Sequence, residues 1–369
     1  MFDAPEFRLL CACCYLDTQA WNVQRDTVLE LLDRNPDPTR FVNLVRRHRL
    51  PVLTHAVLDR VARETGRQIP LVWMLQAAAR KVRVANLARH AEWRRLQKIF
   101  AESGVVVHSL KGTALSERLY GDVAMRHTRD LDLLVAPEDL KSSIEVLRGA
   151  GYAIRDLGDL HLAQRVAWHI ECESAQSKVE LHWRFERVSS PRLEERWWEL
   201  LRRGGPIFDL LYCCLHGSSH GWSRLKWVGD IKMLAPQVTP EVWDWALALN
   251  LRPIVAEALS VVEGGIDPAR SSNAAKWLAL PEKELAVEAG ASRMRFRQLQ
   301  WQLSRRYSLQ ERAAHWMYAT LFSPVDLERF RLPAWLSAAY PFIRPISLIG
   351  RIPAKSNAVS GAKPNGIPG

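Results

Sequence analysis

Apolar positions recur three and four apart over the first hundred residues. EFRLLCACCYL, RDTVLELLDR, TRFVNLVRRHRL and LTHAVLDRVARETG each keep one apolar stripe, the period of amphipathic helices. Asn35–Pro36–Asp37–Pro38 punctuates them. A longer helix is expected from about Pro70 to Ile99, its stripe interrupted by many Arg. The period changes at Gly104. VVVHSL (105–110) is a β-branched run after a glycine, the pattern of a buried strand. LKGTALSERLYG follows as a turn and a short helix, and RDLDLLV (129–135) reads as a second strand. Residues 137–151 predict a helix with Pro and acids in the first turn and Gly at the end. YAIRD is a candidate third strand. QRVAWHIEC (164–172) places Val166, Trp168, Ile170 and Cys172 on one face, and KVELHWRF (178–185) does the same with Val179, Leu181 and Trp183. The polar connection ESAQ makes the two a hairpin.

From about Pro191 the helical period returns. FDLLYCCLHGSSHGW and RLKWVGDIKMLAP are its clearest helices, and others are expected over roughly 239–263, 284–304 and 308–330. The division is therefore a helical region 1–98, a mixed α/β core 99–190, a helical region 191–332, a Pro-containing apolar segment 333–353 and a tail 354–369. The tail has the Gly/Pro/Ser/Asn composition of disorder. The fold class is α+β: a small mixed β-sheet core flanked by N- and C-terminal helical regions.

Composition narrows the picture modestly. Hydrophobic residues make up 48% and charged residues 25% of 369, the balance of a globular chain. A formal charge of +11 favours polyanionic partners such as nucleotides or RNA without choosing among them. The six cysteines do not make the two C-x-x-C pairs of a zinc site, Cys11 and Cys14 being the one pair so spaced. They read as buried thiols in a reducing, cytoplasmic setting. MFDAPEFRLL lacks the basic-then-apolar order of a signal peptide. No run of about 18 apolar residues offers a transmembrane segment.

The chemistry centres on Asp130 and Asp132. In a strand they share one face, while Leu131, Leu133 and Val135 take the other. Two carboxylates so placed repel each other and raise one another's pKa, whereas Mg²⁺ favours carboxylate oxygens and keeps substrate phosphates as further ligands. Alone, the pair also fits two solvated acids partnered by Arg126 or Arg129. Three features add to it. Lys111–Gly112–Thr113 ends one strand and opens a helix, which suits close approach of a phosphate. Arg126, in the loop before the second strand, is placed to contact a phosphate or to pair with the acids. Glu180 and His182 share one face of the later strand, and Glu180 is the natural third carboxylate.

LKGTALSERLYGD, RHTRDLDLLV, KVELHWRF and LHGSSHGWSRLKWVGDI together resemble the bacterial uncharacterised nucleotidyltransferase family, within the superfamily that includes DNA polymerase β. The resemblance covers roughly residues 40–240. It implies an NTP substrate such as ATP and two Mg²⁺ ions held by Asp130, Asp132 and Glu180. It also implies transfer of NMP to the hydroxyl of an unidentified acceptor, whether small molecule, peptide or tRNA. Many superfamily members carry Gly-Gly or Gly-Ser where this chain has Lys111–Gly112–Thr113, so the usual hydroxyl contact to the β/γ-phosphates falls to Thr113 or Lys111. Alternative readings are a toxin-like tRNA-modifying transferase, transfer of phosphate or nucleotide to a peptide or sugar natural product, and an inactive nucleotide-binding module. Oligomeric state is not legible.

His216 and His220, four apart on one helix face, read either as a packed interface, as substrate contacts or as half a metal site. Gly217 and Gly221 beside them let another group approach closely. Lys226 and Asp230 have the spacing of a simple ion pair, and the family's W-x-x-D element makes Asp230 a further candidate for the nucleotide site. No P-loop is present.

Overall fold

Proline opens most of the helices. Pro5, Pro38, Pro51, Pro70, Pro191, Pro206 and Pro240 each take the first helical position, where a missing N–H costs nothing and φ is already suitable. The computed structural model describes residues 2–154, 160–187, 189–263, 266–267, 270, 278, 300, 303–313 and 342. Five helices come first: α1 (Pro5–Ala12), α2 (Trp21–Asp33), α3 (Pro38–His48), α4 (Pro51–Thr65) and α5 (Pro70–Glu102). α5 buries Leu71, Leu75, Ala79, Asn86, Trp93, Leu96 and Phe100. That is one stripe at helical spacing, with a single polar residue, Asn86, set into it.

The mixed region follows as β1 (Val107–Ser109), α6 (Thr113–Tyr120), β2 (Leu131–Val135), α7 (Leu140–Gly149), β3 (Ala153–Ile154), α8 (Leu160–Val166), β4 (His169–Glu173) and β5 (Lys178–His182). Helices α9 (Pro191–Arg203), α10 (Pro206–Ser219), α11 (Leu225–Leu234), α12 (Pro240–Ala248) and α13 (Arg252–Val262) complete the order. The fold is α+β, as the sequence predicts. The chain clusters into two units, residues 1–155 with 168–313 and residues 156–167 with 314–369. The first contains the sheet and the helices α1–α7 and α9–α13; the second contains α8. The expected strand over 164–172 is therefore shorter, because 160–166 is helical. LHLAQRV is rich in helix formers, and four alternating apolar positions are too few to override them. The helix expected over 239–263 is two helices separated by Asn250, whose φ of 55° breaks the run. The helices expected over 284–304 and 308–330, the 333–353 segment and the tail lie almost wholly outside the described residues.

The sheet has the strand order β1-β2-β5-β4-β3. β2 and β5 run parallel, and the other neighbours are antiparallel. Cross-strand partners share a face, so the register sorts the side chains. Leu131, Leu133, Val135, Val179, Leu181, Ile170 and Cys172 line one face, and all are buried. Each such burial is worth about 1.5–3 kcal/mol. The opposite face carries Asp132, Glu180, His182, His169 and Glu171. Leu134 is on that face too, and it joins a large helical core with Leu110, Leu115, Trp197 and Leu215. The helical body thus covers the sheet beside Asp132, leaving that carboxylate 1% exposed. All six cysteines are buried free thiols. Among the described residues, no helix is long and apolar enough to cross a membrane.

Candidate active site

Asp132 and Glu180 are direct partners across the parallel β2–β5 pair. Beside them His182 Nε2 stands 3.6 Å from Asp132 Oδ1 and 3.6 Å from Glu180 Oε2. The His169 ring lies 5.0 Å from that of His182. Asp130, half-buried and one residue before β2 begins, lines the same cleft as Asp132 and Lys111. Among the described residues the metal-capable clusters are Asp132–Glu180–His182 and His169–Glu171–Glu180, so Asp130 stands in neither. The sequence reading placed Glu180 as third acid and saw His182 on its face. It did not single out His182 or His169 as site residues, although the alternation in HIECE and KVELH was their signal.

Lys111 closes the site from β1. Its Nζ is 2.9 Å from Asp132 Oδ1 and 3.5 Å from His216 Nε2 on α10. Gly112 then starts α6 with φ 78°. A Cβ there would also stand 3.2 Å from Thr128 Cγ2, so both conformation and space call for glycine. Thr113, the first residue of α6, is 1% exposed.

Charge is sorted across the site. Burial raises the Asp132 carboxyl, but the Lys111 ammonium and His182 outweigh it and hold the group below the usual carboxylate range. Burial lowers His182, yet the Asp132 and Glu180 carboxylates hold it above its usual value. Burial with the neighbouring His182 pulls His169 down to about 4. On the other side, burial and then Lys111 hold His216 well below its usual value. Burial and then Arg126 do the same to Lys226. Arg49, Arg126, Arg129 and Lys226 line one cleft with Lys111, Gly112, His216, Asp130 and Asp132. An anion entering there relieves repulsion among cations while meeting the open end of the carboxylate row.

Two sequence expectations are corrected by long-range partners. Arg126 does not pair with Asp130 or Asp132. It donates from Nε to Asp230 at 2.9 and 3.0 Å, both residues being buried. Asp230 is accordingly not the partner of Lys226, whose Nζ donates to the His127 carbonyl at 3.4 Å. The group that approaches Gly217 is Trp222, whose ring would lie 2.2 Å from a Cβ there. His216 and His220 rings meet at 4.6 Å, and His220 stacks on Trp227. Asn86, unremarked in the sequence, fixes the loop into β2. Its Nδ2 donates to the Ala124 and Arg126 carbonyls, and its Oδ1 accepts from the Thr128 N–H.

The donor set fits a divalent cation. Both Asp132 oxygens and both His182 ring nitrogens are buried without a well-formed hydrogen bond, and carboxylate with imidazole is ordinary ligation chemistry. The family described as uncharacterised nucleotidyltransferase matches residues 34–263, well over half of the chain. No curated protein and no solved structure matches it. The chain therefore belongs to the uncharacterised nucleotidyltransferase family, transferases of phosphorus-containing groups.

Proposed function

We propose that the protein transfers a nucleoside monophosphate from an NTP to a hydroxyl of its acceptor, with Mg²⁺ as the metal and residues 99–190 as the catalytic core. The observation that carries this reading is the lateral pairing of Asp132 with Glu180, with Lys111 at their edge. Asp132, Glu180 and Asp130 would hold the metal, Asp130 from the loop end of β2, where it lines the cleft with Asp132. Two bound Mg²⁺ ions would supply charge neutralisation of the triphosphate and stabilisation of the entering and leaving oxygens. Lys111, Gly112 and Thr113 would receive the phosphates at the start of α6, and His216 would set the position of Lys111. Glu180, the more exposed acid at 22%, would accept the proton of the attacking hydroxyl. Arg126, with Asp230, would brace the loop rather than touch substrate. Lys226 and His220 would flank the nucleotide.

The test is label transfer from α-labelled NTP in wild type and Asp132→Asn. Losing one metal-holding carboxylate should remove several kcal/mol of transition-state stabilisation, at least ~100-fold in rate. Undiminished transfer in the variant would overturn the assignment. A tRNA acceptor is the second reading, favoured by the +11 charge and by Arg49, Arg129 and Lys226 in the cleft. It predicts tRNA binding that weakens steeply with salt.

A further inference from the structure

We propose that His182, with His169 beside it, makes the carboxylate site a mixed nitrogen–oxygen site that also takes a borderline transition dication of the Zn²⁺ class, in competition with Mg²⁺. This rests on the reading of Asp132 and Glu180 as metal-holding groups and goes beyond it in adding an imidazole ligand and a second class of ion.

Distance is the first argument. An ion with ligands about 2.1 Å away in a tetrahedron holds them about 3.4 Å apart. His182 Nε2 is 3.6 Å from an oxygen of each carboxylate, and the three donors lie within 4.8 Å of one another, so the imidazole stands within a few tenths of an ångström of ligand spacing to both. Burial is the second. The His182 side chain is 8% exposed, and neither ring nitrogen has a hydrogen-bond partner. A buried polar ring without such partners costs free energy that a metal bond would offset. Charge is the third. Lys111 offsets one of the two carboxylates, which leaves the second to a cation. His169 faces the His182 ring across β4–β5 and groups with Glu171 and Glu180 on the other side of Glu180. Glu171 is tied to Lys178 at 2.8 Å and stands outside the set. Mg²⁺ prefers an all-oxygen octahedron, whereas imidazole favours Zn²⁺ and its neighbours.

The test loads chelator-treated full-length protein with ZnSO₄ and records X-ray absorption. The expected spectrum has a nitrogen/oxygen shell near ~2.0–2.1 Å with imidazole outer scattering and no sulfur shell near ~2.3 Å. An oxygen-only shell overturns the proposal, and so does a sulfur shell, which would place the ion on cysteine. Calorimetric titration of His182→Asn, its fold checked by circular dichroism, should show Zn²⁺ affinity down at least ~10-fold and Mg²⁺ affinity unchanged. Unchanged Zn²⁺ affinity in the folded variant overturns it by assigning the scattering to other imidazoles, His216 and His220 among them. Imidazole ligation with no labelled product from NTP would sink the nucleotidyl reading and leave this one standing. Labelled product with an oxygen-only shell would do the reverse.

Discussion

Asp132 and Glu180 stand directly opposite each other on two parallel strands, with 47 residues of chain between them and Lys111 salt-bridged to the more buried one. Groups that hold one metal act as a unit, and removing either disables the whole. Asp132→Asn and Glu180→Gln should therefore each cost at least ~100-fold in label transfer, and the double variant should be scarcely worse than the worse single. Multiplying losses would mean that the two carboxylates act independently. Initial rates at saturating NTP for the three variants decide it.

Arg126 and Asp230 form a doubly hydrogen-bonded pair sealed inside the protein, 6% and 2% exposed. Breaking a buried pair from one side strands the other charge and typically costs about 3–5 kcal/mol. Arg126→Met should lower stability by that order, and Asp230→Leu likewise. The double change should lose less than the sum, because no charge is stranded. Urea denaturation of the four proteins measures the coupling. A double variant that loses the full sum would show that the two residues contribute through separate contacts.

Short-range patterns were legible in the chain, and long-range partners were not. RDLDLLV announced β2 by its period of two, and KVELH put Glu180 and His182 on one side by the same rule. The pairing of Asp132 with Glu180 depends on a parallel register that local sequence does not encode. Lys226 and Asp230 failed for the opposite reason. Their i, i+4 spacing suggests a local pair worth a few tenths of a kcal/mol, but a buried guanidinium 104 positions from Asp230 sets both Nε and Nη2 against it and takes the carboxylate. Asn86 looked like one polar residue in an Arg-rich helix. Its function, satisfying two carbonyls and an N–H of the loop before β2, exists only once α5 and that loop are together.

Glu194 on α9 gives a pH test that lies away from the metal-capable groups. Burial pushes its carboxyl up to about 7 from an ordinary value of 4.5, and the Glu186 carboxylate nearby adds to the rise. The Glu186 charge is already engaged by Arg306 and by Trp197 Nε1 at 3.3 Å, so it offers Glu194 no relief. A carboxyl raised in the folded state binds more protons there than in the unfolded chain between those two values. Stability must then fall as pH rises from about 4.5 through about 7. Glu194→Gln keeps the shape and carries no charge. It should be close to wild type at pH 4.5 and progressively more stable than wild type by pH 8. Urea midpoints across that range measure the difference, and a gap that stays constant with pH would mean that Glu194 is solvated enough to ionise normally.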